Sequence, residues 1–267
     1  MIKIGKNVIL HQDGVALSTE LWGINRFPDG QIQFWLEDSV SGPLDLDIAI
    51  TDSEMLDLFI QMIYLRGFKS IQINYLYGGR SDKSRAGSRY VSDLNAMLMS
   101  IVSRFAEGQV DVVMPHNIST GWSSIVPLHD CFTRENYDLI LFPDESAAKR
   151  FQNEFHGIVK HTCVKKRDQQ SGEIVSHWIP TDVEDFDRIL VVDDLCDGGR
   201  TFLNIAEKLN QATGGANKLD LYVVHGVFSN NAIARLKESY DTIYTTNSYQ
   251  DFPGQGLVVK NVWRSAL

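Results

Sequence analysis

The sequence holds no apolar run long enough to cross a bilayer, so a transmembrane anchor is not expected. Its first residues, Met1-Ile2-Lys3-Ile4-Gly5, lack the basic flank, long apolar stretch and small-residue cleavage site of a signal peptide, so export is not expected either. The expected location is the cytoplasm. Cysteine is scarce: Cys131, Cys163 and Cys196 form no CxxC pair, and three thiols fit neither a disulfide framework nor a zinc knuckle. They read as reduced, ordinary thiols. Neither GxxxxGK[ST] nor GxGxxG occurs, so a P-loop ATPase or a dinucleotide-binding Rossmann enzyme is not supported. Positive charge is also in deficit. With 25 basic against 34 acidic side chains, the net charge of −9 would repel a phosphate backbone, and nucleic acid is not the expected partner.

What the chain has is a globular composition, 43% hydrophobic and 22% charged, which excludes a disordered polymer. Its 267 residues suffice for one large or two compact domains. Short apolar runs alternate with amphipathic segments, the pattern of an α/β protein with mainly parallel sheets flanked by helices. Met55, Leu58, Phe59, Met62 and Ile63 recur at helical spacing between Asp52 and Arg66, with Gly67 as a stop before a strand from Ile71 to Leu76. Further strands are expected at Val110 to Met114, Leu139 to Phe142, Ile189 to Val192 and Leu219 to Val224. Phe202, Ile205, Ala206 and Leu209 form the apolar stripe of a helix that ends at Gly214-Gly215, completing a βαβ unit. Gly121-Trp122-Ser123-Ser124 and Pro127 interrupt the pattern, which places a division into residues 1–125 and 126–267.

The segment richest in chemistry is the run from Ile189 through Asp193-Asp194-Leu195-Cys196-Asp197-Gly198-Gly199-Arg200-Thr201, a buried strand that delivers two carboxylates to its C-terminal tip. Ligands of open α/β sheets bind there. The loop that follows opens a helix, whose N–H groups and positive dipole end favour an anion. Acids beside a phosphate cradle are compatible if Asp193 and Asp194 face sugar hydroxyls or Mg²⁺ while the loop holds phosphate. The combination describes a ribose phosphate. An isolated Asp-Asp pair would more simply cap the helix, but three acids and a Gly-Gly-x-Thr loop go beyond a cap.

These residues resemble the ribose-phosphate pyrophosphokinase (phosphoribosyl pyrophosphate synthetase) family. Further segments follow in that family's order: Arg26-Phe27-Pro28-Asp29-Gly30-Gln31, Arg80 with Asp82-Lys83-Ser84-Arg85-Ala86, His116, and Phe142-Pro143-Asp144 with Ala148-Lys149-Arg150. Val164-Lys165-Lys166-Arg167, Val224-His225-Gly226-Val227-Phe228-Ser229 and Thr245-Thr246-Asn247 continue it, so the likeness runs from about Arg26 to Asn247. The resemblance implies two phosphoribosyltransferase-like α/β domains. It also implies transfer of the β,γ-diphosphate of ATP to the anomeric hydroxyl of ribose 5-phosphate, with release of AMP.

Site roles carry over from the same resemblance. Asp193, Asp194, Asp197, Gly198, Gly199, Arg200 and Thr201 would hold the ribose hydroxyls and 5-phosphate. His116 and Asp144 would ligate the Mg²⁺ on the ATP phosphates. Phe27, Asp29 and Gln31 would face adenine, in the family often from a neighbouring subunit of a homo-oligomer. Arg80, Asp82, Arg85 and His116 would complete the ATP site, and Lys165 and Arg167, in a loop resembling the family's mobile catalytic loop, would neutralise the migrating diphosphate. Taken singly, His116 reads as an ordinary histidine, Arg80, Arg85 and Lys165-Lys166-Arg167 as solvated charges, and Phe27 as an apolar residue before a turn. Their order along the chain joins them.

Some positions depart from the family pattern. Pro115 precedes His116 where an acid is usual, Gln31 replaces an acid, Ser81 follows Arg80 in place of glutamine, and Arg200 stands where the loop normally has glycine. The added cation in the 5-phosphate loop motivates an alternative acceptor, ADP-ribose, whose product would be an ADP-ribose pyrophosphate serving NAD rebuilding. A phosphoribosyltransferase or a non-catalytic regulatory relative shares the acidic strand and its loop. The Phe27 and Arg80 segments and the Lys165 loop have no place in the former, and the retention of Lys165, Arg167 and His116 argues against the latter.

Overall fold

A computed structural model of the chain describes residues 7–77, 94–105, 108–116, 122–167 and 174–264. The chain divides into two compact units, Met1–Val126 joined by Val262–Leu267, and Pro127–Asn261. The sequence reading placed the division one residue earlier and left the whole C-terminal end with the second half. The return of the end to the first unit is secured by Arg264. Its backbone N–H donates to Asp47 Oδ2 at 2.8 Å, and its guanidinium reaches Asp47 Oδ1, Ser70 Oγ and the Leu46 carbonyl.

In the first unit, β1 (Val8–Gln12), β2 (Val15–Ala16), β5 (Asp45–Ile50), β6 (Ser70–Leu76), β7 (Gln109–Val113) and β8 (Ser123–Ile125) form a sheet of order β2-β1-β5-β6-β7-β8. From β5 to β8 the neighbours are parallel, and β1 runs antiparallel to β5. A separate hairpin pairs β3 (Trp22–Arg26) with β4 (Ile32–Leu36). Helix α1 (Ser53–Leu65) starts at Asp52, whose Oδ1 accepts the Met55 N–H at 3.0 Å, and it buries Met55, Leu58, Phe59, Met62 and Ile63, the stripe read from spacing. Gln61 on this helix accepts the Phe34 N–H at 2.9 Å and donates to the Ile32 carbonyl at 3.0 Å, which docks the hairpin. Helix α2 (Leu94–Phe105) precedes β7. The stop of α1 differs from expectation. Arg66, not Gly67, turns extended, because its guanidinium is held by the carbonyls of Val40 and Gly42. Strand β7 likewise ends at Val113, since Met114 takes a φ of 37°.

In the second unit, β9 (Leu139–Phe142), β10 (Val159–Thr162), β13 (Arg188–Cys196), β14 (Lys218–Gly226), β15 (Thr242–Thr246) and β16 (Val258–Lys260) form an all-parallel sheet of order β10-β9-β13-β14-β15-β16. Parallel strands covered on both faces need continuous apolar runs, and Ile189-Leu190-Val191-Val192 and Leu221-Tyr222-Val223-Val224 supply them; all eight are fully buried. Helices α3 (Glu145–Arg150), α4 (Arg200–Thr213) and α5 (Ala232–Lys237) make the crossovers, and β11 (Val164–Arg167) pairs with β12 (Ile174–Trp178) in a small antiparallel ribbon. Phe202, Ile205, Ala206 and Leu209 of α4 are buried as their spacing predicts, and Gly214 ends the helix in the left-handed region at φ 66°. A half-buried His129 bonds the Thr245 carbonyl through Nε2 at 3.2 Å, with the rings of Phe132, Tyr222 and Tyr244 around it. Burial lowers its pKa from the usual 6.5, so it sits neutral in the core.

Among the described residues, no helix is long and apolar enough to cross a membrane.

Candidate active site

Strand β13 does not end before the acids. It runs through Asp193 and Asp194 to Cys196, paired with β14 up to Gly226, so both aspartates are fixed by the sheet rather than by a loop. The acidic pair therefore inherits the rigidity of two central strands. Asp194 is buried and Asp193 nearly so, and the Asp194 N–H donates to Asp193 Oδ1 at 2.8 Å. Burial first, then the adjacent charges of Asp194 and Asp144, push the Asp193 carboxyl well above the usual carboxylate range, against the pull of Arg150. Arg150 lies between the two acids, its Nη1 at 3.2 Å from Asp194 Oδ1 and 3.7 Å from Asp193 Oδ1.

Beyond the strand, the loop is built to hold still. The N–H groups of Val227 and Phe228 donate to the Cys196 carbonyl at 2.9 and 3.1 Å, and Ser229 Oγ donates to Asp197 Oδ1 at 2.6 Å. Gly226 is obligatory there, because a Cβ would lie 2.3 Å from the Phe228 ring, whose own backbone sits at φ 47°. Gly199, at φ 77°, turns the chain into α4, and no side chain caps that helix. Its first-turn N–H groups are offered to a ligand, in the arrangement by which helix N-termini hold phosphate. Arg235 steadies the turn from the far side, donating to the carbonyls of Gly198 at 2.9 Å and Asn230 at 3.1 Å. Next to it opens a cavity of about 410 Å³ lined by Gly198, Arg200, Asn204, Glu207, Asn230 and Arg235. The exposed Arg200 makes no ion pair among the described residues.

Asp144 reaches this site from β9. It is the N-cap of α3, its Oδ1 accepting the N–H groups of Ser146 and Ala147, both at 3.0 Å, and its charge is felt at Asp193. Asp144 and Asp193 bring carboxylate oxygens to this strand end, and oxygen donors of this kind suit a hard divalent cation that keeps waters and phosphate oxygens as its other ligands. The Asp144 carboxylate offers one such oxygen donor. Among the described residues no group of three or more His, Cys, Asp or Glu side chains is arranged to hold a metal by itself. The other expected ligand, the half-buried His116, lies in the first unit, two residues past Met114.

The remaining sequence candidates sort by unit. Phe27, Asp29 and Gln31 share the tip of the β3–β4 hairpin. The Phe27 N–H donates to the Gln31 carbonyl at 2.9 Å and the Gln31 N–H to Asp29 Oδ1 at 3.1 Å, leaving the Phe27 ring 43% exposed. Arg80, Asp82 and Arg85 lie outside the described residues. Lys165 and Arg167 stand on β11, in register with His177 and Ile174 of β12. Cys196 is fully buried, and burial together with Asp193 and Asp197 pushes its thiol up, so it stays neutral and serves no nucleophilic role. Sequence reasoning assigned no role to Arg150, Ser229 or Arg235. The first two sat within segments whose order it had noted, and Arg150 follows Asp144 at the end of one short helix.

No family model matches the chain. It is 21% identical over 239 residues to the ribose-phosphate pyrophosphokinase of Thermoplasma acidophilum, covering 84% of this chain and 82% of that protein. It is 26% identical over 263 residues to the enzyme of that name from Thermotoga maritima, covering 88% and 82%. A further ribose-phosphate pyrophosphokinase, from Campylobacter jejuni, is 26% identical over 237 residues, covering 80% and 74%. Among solved structures, the phosphoribosylpyrophosphate synthetase from Mycobacterium smegmatis aligns over 90% of this chain and 86% of its own with a TM-score of 0.65 at 16% identity, a likeness of fold. The two units accordingly share the α/β architecture of that protein.

Proposed function

We propose that the chain is an enzyme of the ribose-phosphate pyrophosphokinase family, a reading supported by its likeness to proteins of that name, and that it transfers the β,γ-diphosphate of ATP to the anomeric hydroxyl of ribose 5-phosphate. In this step the anomeric oxygen attacks the β-phosphorus, the bond from that phosphorus to the α,β-bridging oxygen breaks, AMP leaves and the hydroxyl proton is lost. The reading is carried by one observation. Two sheet-fixed carboxylates, Asp193 and Asp194, stand six and five residues before Gly199, the left-handed glycine at an uncapped helix N-terminus, so acceptors for sugar hydroxyls and N–H groups for a phosphate follow one another along the chain.

In this reading Asp193, Asp194 and Asp197 take the ribose hydroxyls, and Gly198, Gly199, Arg200 and Thr201 take the 5-phosphate. Asp144 would hold Mg²⁺, which when bound would supply charge neutralisation on the ATP phosphates; His116 has its metal role from the resemblance alone. Lys165 and Arg167 place cations on the migrating diphosphate, where little covalent work is asked of the protein. Arg80, Asp82 and Arg85 would hold ATP, with Phe27, Asp29 and Gln31 against adenine from a neighbouring copy, which makes the proposed working form a homo-oligomer.

A second reading, with ADP-ribose as acceptor, is favoured by Arg200 and the cavity it shares with Arg235. Two guanidinium groups beside the 5-phosphate loop suit a second phosphate joined to the first. Purified protein with ATP and Mg²⁺ is incubated with each acceptor in turn, and AMP release is measured. Stimulation by ribose 5-phosphate supports the first reading, stimulation by ADP-ribose alone supports the second, and equal AMP release without any acceptor overturns both.

A further inference from the structure

Consecutive carboxylates on one strand repel each other, and here neither is diluted by water. The side chains of Asp193 and Asp194 are only 16% and 3% exposed, and Asp144 adds a third negative charge nearby. What offsets them is Arg150, itself 7% exposed, with one nitrogen reaching an oxygen of each aspartate. A surface ion pair of this sort is worth little, but a buried guanidinium removed from between two buried acids leaves both without their counterion.

The placement of Arg150 follows from local structure. Helix α3 has six residues; Asp144 caps its start and Arg150 ends it. The strand that feeds the helix, β9, is the direct neighbour of β13. A single turn-and-a-half of helix therefore carries the proposed metal-binding carboxylate at one end and the counterion of the acidic pair at the other.

We propose that Arg150 is a positioning residue for the acceptor sugar, holding Asp193 and Asp194 side by side as the paired hydrogen-bond acceptors that two vicinal hydroxyls need. This rests on the proposed diphosphate transfer to a ribose acceptor. A vicinal diol offers two O–H donors a fixed distance apart, and two carboxylates match it only if their mutual repulsion is offset and their spacing held. A guanidinium suits this work better than an ammonium, because it keeps its charge when buried, whereas a buried ammonium loses its proton readily. Arg150 touches the acids, and through them it sets the acceptor's seat.

The test is steady-state kinetics of Arg150→Gln and Arg150→Lys with Mg·ATP and ribose 5-phosphate, or ADP-ribose if that is the acceptor that stimulates wild type, together with melting curves and calorimetric binding of the acceptor. Arg150→Gln is expected to raise the acceptor KM tenfold or more while leaving the KM for ATP within about twofold. Arg150→Lys is expected to recover part of the acceptor KM. If Arg150→Gln does not fold, Arg150→Gln combined with Asp194→Asn is compared with Asp194→Asn alone, and is expected to fold yet bind acceptor severalfold more weakly than that single variant. Equal acceptor binding by the two overturns the proposal. So does an equal rise of both KM values, or a fall in kcat alone with both KM values unchanged, for these mark a structural salt bridge only. A wild-type protein that releases no acceptor-dependent AMP overturns the proposed function itself, whereas an active wild type matched by Arg150→Gln overturns this inference alone.

Discussion

Arg264 donates its backbone N–H to Asp47 Oδ2 at 2.8 Å and closes its guanidinium on the other oxygen of the same carboxylate, which is fully buried on β5. The same guanidinium also satisfies Ser70 Oγ at 2.5 Å and the Leu46 carbonyl at 2.6 Å. Burial raises the Asp47 carboxyl above its usual range, and Arg264 is the main opposing influence, with His11 adding to it. Arg264→Met leaves a buried carboxylate without its partner. A loss of about 3 kcal/mol in stability is expected by urea denaturation, at the low end for a broken buried pair because Arg264 is 31% exposed. Adding Asp47→Asn should restore part of it, and a Met variant as stable as wild type would refute the tether.

Gly199 at φ 77° turns the chain into α4, and a Cβ there would meet Leu236 at 3.4 Å. Gly199→Ala is expected to cost about 1–2 kcal/mol from the left-handed conformation. It should also raise the acceptor KM more than the ATP KM, because the displaced N–H groups are those proposed to hold the acceptor's phosphate. Equal acceptor affinity in the variant would show that the turn holds no phosphate.

Asp144 caps α3, and the proposed Mg²⁺ site asks for its charge as well. Asparagine caps nearly as well as aspartate, so Asp144→Asn is expected to leave melting unchanged while shifting the Mg²⁺ dependence of AMP release to higher concentration. Asp144→Ala should lose about 1 kcal/mol of stability as well. An unaltered Mg²⁺ titration in the asparagine variant would remove Asp144 from the metal site.

Lys165→Ala is expected to lower turnover on the order of 100-fold or more, as for the loss of a preorganised charge on the transferred group. Nucleotide binding measured by calorimetry should be nearly intact. Unchanged turnover would reject the assigned role.

His129 sets a pH signature. Burial lowers its folded pKa below the unfolded 6.5, so the unfolded chain binds more protons as the pH drops. Its contribution to stability is complete above 6.5 and declines as the pH falls from there toward the folded pKa. Urea midpoints of wild type and His129→Gln, compared between about pH 7.5 and about pH 5, are expected to converge on acidification. A constant difference would show that the ring does not charge in that range.

The amino-acid sequence by itself determined the α/β alternation, the buried stripes of α1 and α4 and the acidic strand leading into a glycine turn. Each of these is a local pattern, set by side-chain period, continuous apolar runs or a backbone angle that glycine tolerates. Only tertiary structure decided that β13 continues through its acids, because β14 lies beside it to Gly226 and supplies the hydrogen bonds that keep the strand extended. Tertiary structure also brought Asp144 and Arg150 to Asp193, and Arg264 to Asp47, across separations of about 40 to over 200 residues. Such pairings depend on which strands become neighbours, and no periodicity within a window of sequence records that.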